Sequence, residues 1–116
     1  MHLPRIVGPR RALQLILTGE PIDSATALEW GLVNQVAPSG QELAAALALA
    51  STIAANAPTA VRVSKETILA TMTATDADAS RLNESAFAAV QRSPDAAEGL
   101  RAFVEGRAPV WSDLEQ

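Results

Sequence analysis

Apolar residues recur at three- and four-residue spacings along most of this chain, so the sequence predicts a succession of helices, each with a stripe to bury. After a short turn within Leu3–Gly8, a helix opens at Pro9 and carries Leu13, Ile16 and Leu17 on one face. Pro9 suits a first helical position, where its missing N–H would have no partner, and Gly19 suits the left-handed residue beyond the end. Pro21 prevents resumption. Asp23 then offers a carboxylate to the first free amides of a second, shorter helix holding Ala27, Leu28 and Trp30, which Gly31 closes.

The period changes at Leu32. The run LVNQVA, Leu32 to Ala37, is β-type in composition, although Val33 and Val36 do not strictly alternate, and Pro38-Ser39-Gly40 ends it; one short strand is expected near residues 32–37. From Gln41 to Asn56 the helical spacing returns with Leu43, Leu47, Ala50, Ile53 and Ala54. Another helix starts at Pro58 and uses Val61, Ile68, Leu69 and Met72. The stretch TATDADAS reads as the next connection, followed by a face of Leu82, Ala86, Phe87 and Val90. Ser93-Pro94-Asp95 restarts the helix with a capping hydroxyl, a first-turn proline and an acid that complements the helix dipole. The last helix carries Leu100, Phe103 and Val104, Gly106 stops it, and residues 109–116 form a tail. Several helices are apolar over more than one stripe, and part of that surface is expected to meet another chain or domain.

Composition sharpens this picture. Hydrophobic residues make up 48% of the 116, yet Tyr is absent and only two Trp and two Phe occur, so alanine and the aliphatics supply the rest, as suits close-packed helices. A formal charge of -4 without blocks of either sign argues against a nucleic-acid surface. The lack of cysteine excludes disulfides and thiolate metal sites, and the single histidine, His2, cannot build a histidine-rich one. No apolar stretch has the length of a membrane span and no apolar signal core follows the N-terminus, so a cytoplasmic protein is expected.

Candidate chemistry is sparse. Asp76 and Asp78 are two apart, a spacing that turns them away from each other on a helix, and they read as solvated turn residues. Glu98 and Glu105 can share a helix face, but Glu98 lies near the helix start, where a negative charge is expected in any case. Lys65 and Glu66 read as a solvated, ion-paired face. Arg5, Arg10 and Arg11 form a cationic cluster at the start of the first long helix, suited to an anion or to surface pairs. There is no glycine-rich phosphate loop and no nucleophile beside a base, so no catalytic residue is assigned.

Four separated motifs are more specific. LILTGEPID (residues 15–23), GLVN (Gly31 to Asn34), NAP (Asn56 to Pro58) and DAAEGLRAF (Asp95 to Phe103) occur in the order found in the crotonase superfamily, and the chain resembles the C-terminal portion of an enoyl-CoA hydratase/isomerase. The resemblance implies a mainly α fold: the helical C-terminal region of a ββα-spiral subunit. Residues 1–37 would be a helix-helix-strand segment following the spiral core, 38–108 a helical domain of the trimerising type, and 109–116 a tail. It places both oxyanion amides and the catalytic glutamates of the family before Leu3.

The resemblance also implies that these helices pack subunits together and help close the acyl-CoA site. Acyl-CoA would be the substrate, with no cofactor and no metal. Phe103 and Arg107 match the aromatic and basic positions of the family's F-x-E-K-R pattern and are the substrate-binding candidates, whereas Gly106 stands where lysine is frequent. CoA binding by the chain alone would then be weak, at roughly millimolar dissociation constants. Self-association is expected, as a trimer or an exchanged-helix dimer, and a separate spiral-domain chain is a further partner; neither nucleic acid nor a membrane is. A free-standing, non-catalytic oligomerisation or scaffold module is the alternative reading.

Overall fold

The computed structural model describes residues 2–111, which form seven α-helices: α1 Leu3–Val7, α2 Pro9–Thr18, α3 Ser24–Glu29, α4 Glu42–Ala54, α5 Pro58–Thr71, α6 Asp76–Gln91 and α7 Pro94–Glu105. The helical starts read from Pro9, Asp23, Pro58 and Ser93 all hold. Asp23 accepts from the Thr26 amide at 2.7 Å and Ser93 from the Ala96 amide at 3.2 Å, while Gly19 and Gly106 close their helices at φ +66° and +64°. The chain divides into two compact units, Met1–Leu47 and Ala48–Gln116.

Three expectations need correction. No strand occurs among the described residues: 32–37 is irregular, because a strand needs a neighbour for its backbone groups and none is present. The segment before Pro9 is a short helix, α1, not merely a turn. The connection after α5 spans only residues 72–75, since Thr75 caps α6 by accepting from the Asp78 amide at 3.2 Å and donating its hydroxyl to the Asp78 carboxylate at 2.7 Å. Asp76 and Asp78 therefore belong to a first helical turn, where their charge complements the dipole, rather than to a loop.

In the first unit α1 and α2 pack as a pair around Val7 and Ala12, with Gly8 between them at φ +81°, a conformation that favours glycine. The Arg11 guanidinium lies 5.0 Å above the Trp30 ring and 3.8 Å from Glu29, tying α2 to the end of α3. In the second unit α5 and α6 form a hairpin and α7 packs against both. Among the described residues the best-buried apolar one is Ala102, and every buried apolar side chain except Val7 is an alanine. Small residues thus make the helix contacts while the large aliphatics face outward. Leu17, Leu43, Leu100 and Phe103 are between 67% and 84% exposed.

The break between α4 and α5, a bend of 109°, is held by side chains from three places. Asn56 Nδ2 donates to the Thr52 carbonyl at 2.8 Å, closing α4; Trp111 Nε1 donates to the Ala55 carbonyl at 2.8 Å; and Asp95 Oδ2 accepts from the Thr59 amide at 3.0 Å. Helix α5 needs that help, because Ala57 at its N-cap has no side chain to accept a bond. Asp95 is only 4% exposed, so its loss strands an amide in a water-poor site. Asp95→Ala is expected to cost about 1–3 kcal/mol and to lower the midpoint of thermal unfolding by several degrees, with Asp95→Asn costing less. A midpoint unchanged in D95A would show that this bond contributes nothing.

Candidate functional site

The sequence candidates Phe103 and Arg107 both lie at the C-terminal end of α7, but the structure gives them different surroundings. Phe103 is 84% exposed, in line with Leu100 and Val104 at helical spacing, so it projects an apolar stripe outward rather than anchoring a core. Arg107 turns back. Gly106, in the left-handed conformation, reverses the chain after α7, and the Arg107 guanidinium meets Glu98 with a two-pronged contact, Nη1 to Oε1 at 2.6 Å and Nη2 to Oε2 at 3.2 Å. Its Nε donates to Glu105 at 2.6 Å and Nη1 also to the Ala108 carbonyl at 3.0 Å.

Glu98 is the centre of this cluster. Beyond Arg107 it accepts from the Val110 amide at 2.9 Å and lies 3.8 Å from Arg101, and its side chain is 17% exposed. The Arg107 hydrogen bonds, then that of Val110, pull its carboxyl down to about 2. The same pairing pushes Arg107 upward, first through Glu98 and then Glu105. One residue beyond Val110, the Trp111 ring lies over Gly99, where a Cβ would meet it at 3.6 Å. Residues 106–111 are therefore a strap fastened at Glu98 and again at the α4–α5 bend.

This strap titrates in a predictable direction. Glu98 has a folded affinity for protons below its unfolded one, so the stability it contributes is complete above about pH 4.5 and is lost as pH falls toward about 2. In a Trp30→Phe background, Trp111 emission is expected to shift to the red within that window, and Glu98→Gln to show the shifted emission already at pH 7. Emission of the E98Q variant identical to its parent across the window would show that Glu98 does not hold the strap.

The other candidates disperse. Arg11 is engaged with Trp30 and Glu29, while Arg5 and Arg10 are exposed. Glu66 pairs with Arg62 at 3.8 Å across one helical turn, not with Lys65. Among the described residues no three acidic or histidine side chains come together to hold a metal, and no single helix is long and apolar enough to cross a membrane. Sequence reasoning missed the Glu98–Arg107 lock and the Asp95 cap. The first was signalled by Gly106, which returns the following residues over the last turns of α7; the second was not, because Asp95 and Thr59 are 36 residues apart.

Comparison with known proteins places this geometry. The family model described as enoyl-CoA hydratase/isomerase matches residues 1–115. Enoyl-CoA hydratase EchA19 of Mycobacterium tuberculosis is 43% identical over 113 residues, covering 97% of this chain and 42% of the relative. Carnitinyl-CoA dehydratase of Salmonella typhi is 33% identical over 115 residues, covering 96% of this chain and 44% of the relative. The crystal structure of an enoyl-CoA hydratase from Bacillus anthracis superposes with a TM-score of 0.89 at 38% identity, over 94% of this chain and 42% of that one. The chain thus spans less than half the length of these relatives, and fits their C-terminal portion.

Proposed function

From the premise that the chain belongs to the enoyl-CoA hydratase/isomerase family, we propose that it serves as the C-terminal helical segment of an acyl-CoA enzyme, assembling subunits and closing the acyl-CoA site, and is inactive alone. The observation that carries this reading is the exposed stripe Leu100, Phe103 and Val104 at the end of α7, between 67% and 84% exposed in a chain that spans about 42% of its relatives. An apolar face of that kind is the mark of a surface built to be covered. Relatives named for a hydration and for a dehydration of different CoA thioesters match this same portion, which supports a shared scaffold rather than the seat of reaction choice.

Within this reading Phe103 is the acyl-CoA contact and Arg107 holds its helix end in place. With its fork on Glu98 and its Nε on Glu105, the guanidinium faces two carboxylates that already satisfy it, a poor starting point for a phosphate. Gly106 adds no charge there. The test is pairing with the missing portion. The part of the Bacillus anthracis enzyme that precedes its match to this chain, produced as a separate polypeptide, is expected to co-purify with the chain in equal amounts, and Leu100→Glu or Phe103→Glu to abolish the pairing. If the two polypeptides elute separately at micromolar concentrations, the scaffold reading, in which the helices serve only one another, replaces this one.

A further inference from the structure

Helices α4 and α5 meet at a bend of 109° and border a groove of about 600 Å³ that lies wholly within the second unit. Its apolar part comes from Ala50, Ile53 and Ala54 on α4 and from Pro58 and Val61 on α5. Arg62 and Lys65 stand farther along α5, about 6 and 10 Å beyond Pro58 at the rise of a helix. The groove therefore runs from apolar at the bend to cationic away from it. No carboxylate lines it: Glu66, which pairs with Arg62 at 3.8 Å, borders the separate groove between α5 and α6. Lys65 has no ion-pair partner among the described residues. The bend itself is fixed in advance, because Asn56, Trp111 and Asp95 hold it through the Thr52 and Ala55 carbonyls and the Thr59 amide.

We infer that this groove binds an aliphatic carboxylate, with the chain laid on the apolar walls beside the bend and the head group on Lys65 and Arg62. The inference goes beyond the proposed function and does not depend on it, since both walls and both cations belong to this chain. Apolar walls alone would accept any apolar molecule. Two cations at one end, with no acid among the lining residues, select a chain that terminates in an anion. The head group is a carboxylate rather than a phosphate. Arg62 already shares its charge with Glu66, which leaves Lys65 as the groove's unpaired cation, and the Thr59 amide, which a phosphate at this helix start would use, is bonded to Asp95.

Calorimetric titration of the intact chain with dodecanoate, below its micelle concentration, tests this. Saturable binding of one molecule per chain is expected, weaker by about tenfold or more for octanoate, which lacks four methylenes, and for uncharged dodecanol, which lacks the anion. Arg62→Gln combined with Lys65→Gln is expected to bring dodecanoate down to the level of dodecanol. Ala54→Phe, which fills the groove from an exposed position on α4, is expected to abolish binding, while Phe87→Ser in the groove between α5 and α6 leaves it unchanged. The helical content of each variant is checked by circular dichroism. Dodecanol binding as tightly as dodecanoate, or an R62Q/K65Q variant that binds like its parent, overturns the inference. So does dodecyl phosphate binding about tenfold more tightly, which makes the head group a phosphate. Affinity that falls as the chain is concentrated makes a second copy the occupant, and loss of binding in the complex with the Bacillus anthracis polypeptide makes the groove a subunit contact; each overturns the inference and spares the proposed function. If the two polypeptides do not pair and dodecanoate still binds, the proposed function falls and this inference stands.

Discussion

The isolated 116-residue chain is expected to hydrate a short enoyl-CoA no faster than buffer does, and at least about 10⁵-fold more slowly than the chain reunited with the missing portion of a relative. The family resemblance assigns the two oxyanion amides to that portion, and removing even one such donor typically lowers turnover about a hundred- to a thousandfold. A positioned acid or base contributes a further 10² to 10⁴, roughly, and only when its affinity for protons is near the working pH. Glu98 does not qualify. Glu98, the least exposed glutamate among the described residues, is held as an anion by Arg107 and Val110 with a carboxyl at about 2, the wrong direction for a group that must donate a proton near neutrality. Glu66 faces Arg62 on an open surface. Loss of the enoyl thioester's ultraviolet absorbance is the readout. Turnover by the chain alone that survives repurification and scales with its concentration would defeat the expectation, and Glu66→Gln, Glu84→Gln and Glu98→Gln would then locate the source.

What the sequence disclosed follows from where its information is local. Helix starts and stops were legible because proline, the capping residues Asp23 and Ser93, and the glycines at 19 and 106 act within a few positions of themselves. The family was legible because four motifs recur in order, and the structure gives physical reasons for two of them. The NAP motif is the α4–α5 bend, where Asn56 closes one helix and Pro58 opens the next, and the DAAEGLRAF motif supplies both Asp95, which caps α5, and Glu98, which fastens the strap. The long-range contacts were not legible, since they join residues far apart in the chain, Asp95 to Thr59 and Trp111 to Ala55, whereas Glu98 and Arg107 are nine apart and Gly106 between them signals the reversal. Trp111, in the stretch read as a tail, lies against Gly99 and bonds the Ala55 carbonyl of its own chain. The strand failed for a different reason. Residues 32–37 have strand composition, but a strand is a property of two segments, and no second extended segment pairs with them among the described residues. For Phe103 the apolar spacing was read correctly as a stripe, but periodicity reports that a face is apolar and not what covers it.

The chain alone is expected to be an oligomer and not a 12 kDa monomer. Large apolar side chains stand exposed on its helices: Leu43, Leu47 and Ile53 on α4, Leu82 and Phe87 on α6, Phe103 on α7. Each 1000 Å² of apolar surface withdrawn from water contributes roughly 25 kcal/mol by area, an upper figure, while association costs about 4–15 kcal/mol in lost translational and rotational freedom before side-chain ordering is counted. Covering about 1000 Å² of apolar surface leaves a surplus. Three copies closing through equivalent faces, or two exchanging a helix, both satisfy this, because either route lets a helix without a partner in its own chain use a neighbour's. Trp111, already seated on Gly99 and bonded to Ala55, stays out of the contact, so its emission is expected to be unchanged when the assembly dissociates. Phe103→Glu places a charge on the α7 stripe and is expected to lower the association constant at least about tenfold. Light scattering across a dilution series decides the matter: a 12 kDa species at high micromolar concentration, unchanged on tenfold dilution and binding no exposed-surface dye, would mean that these helices need no cover and that their apolar faces are not half of a larger fold.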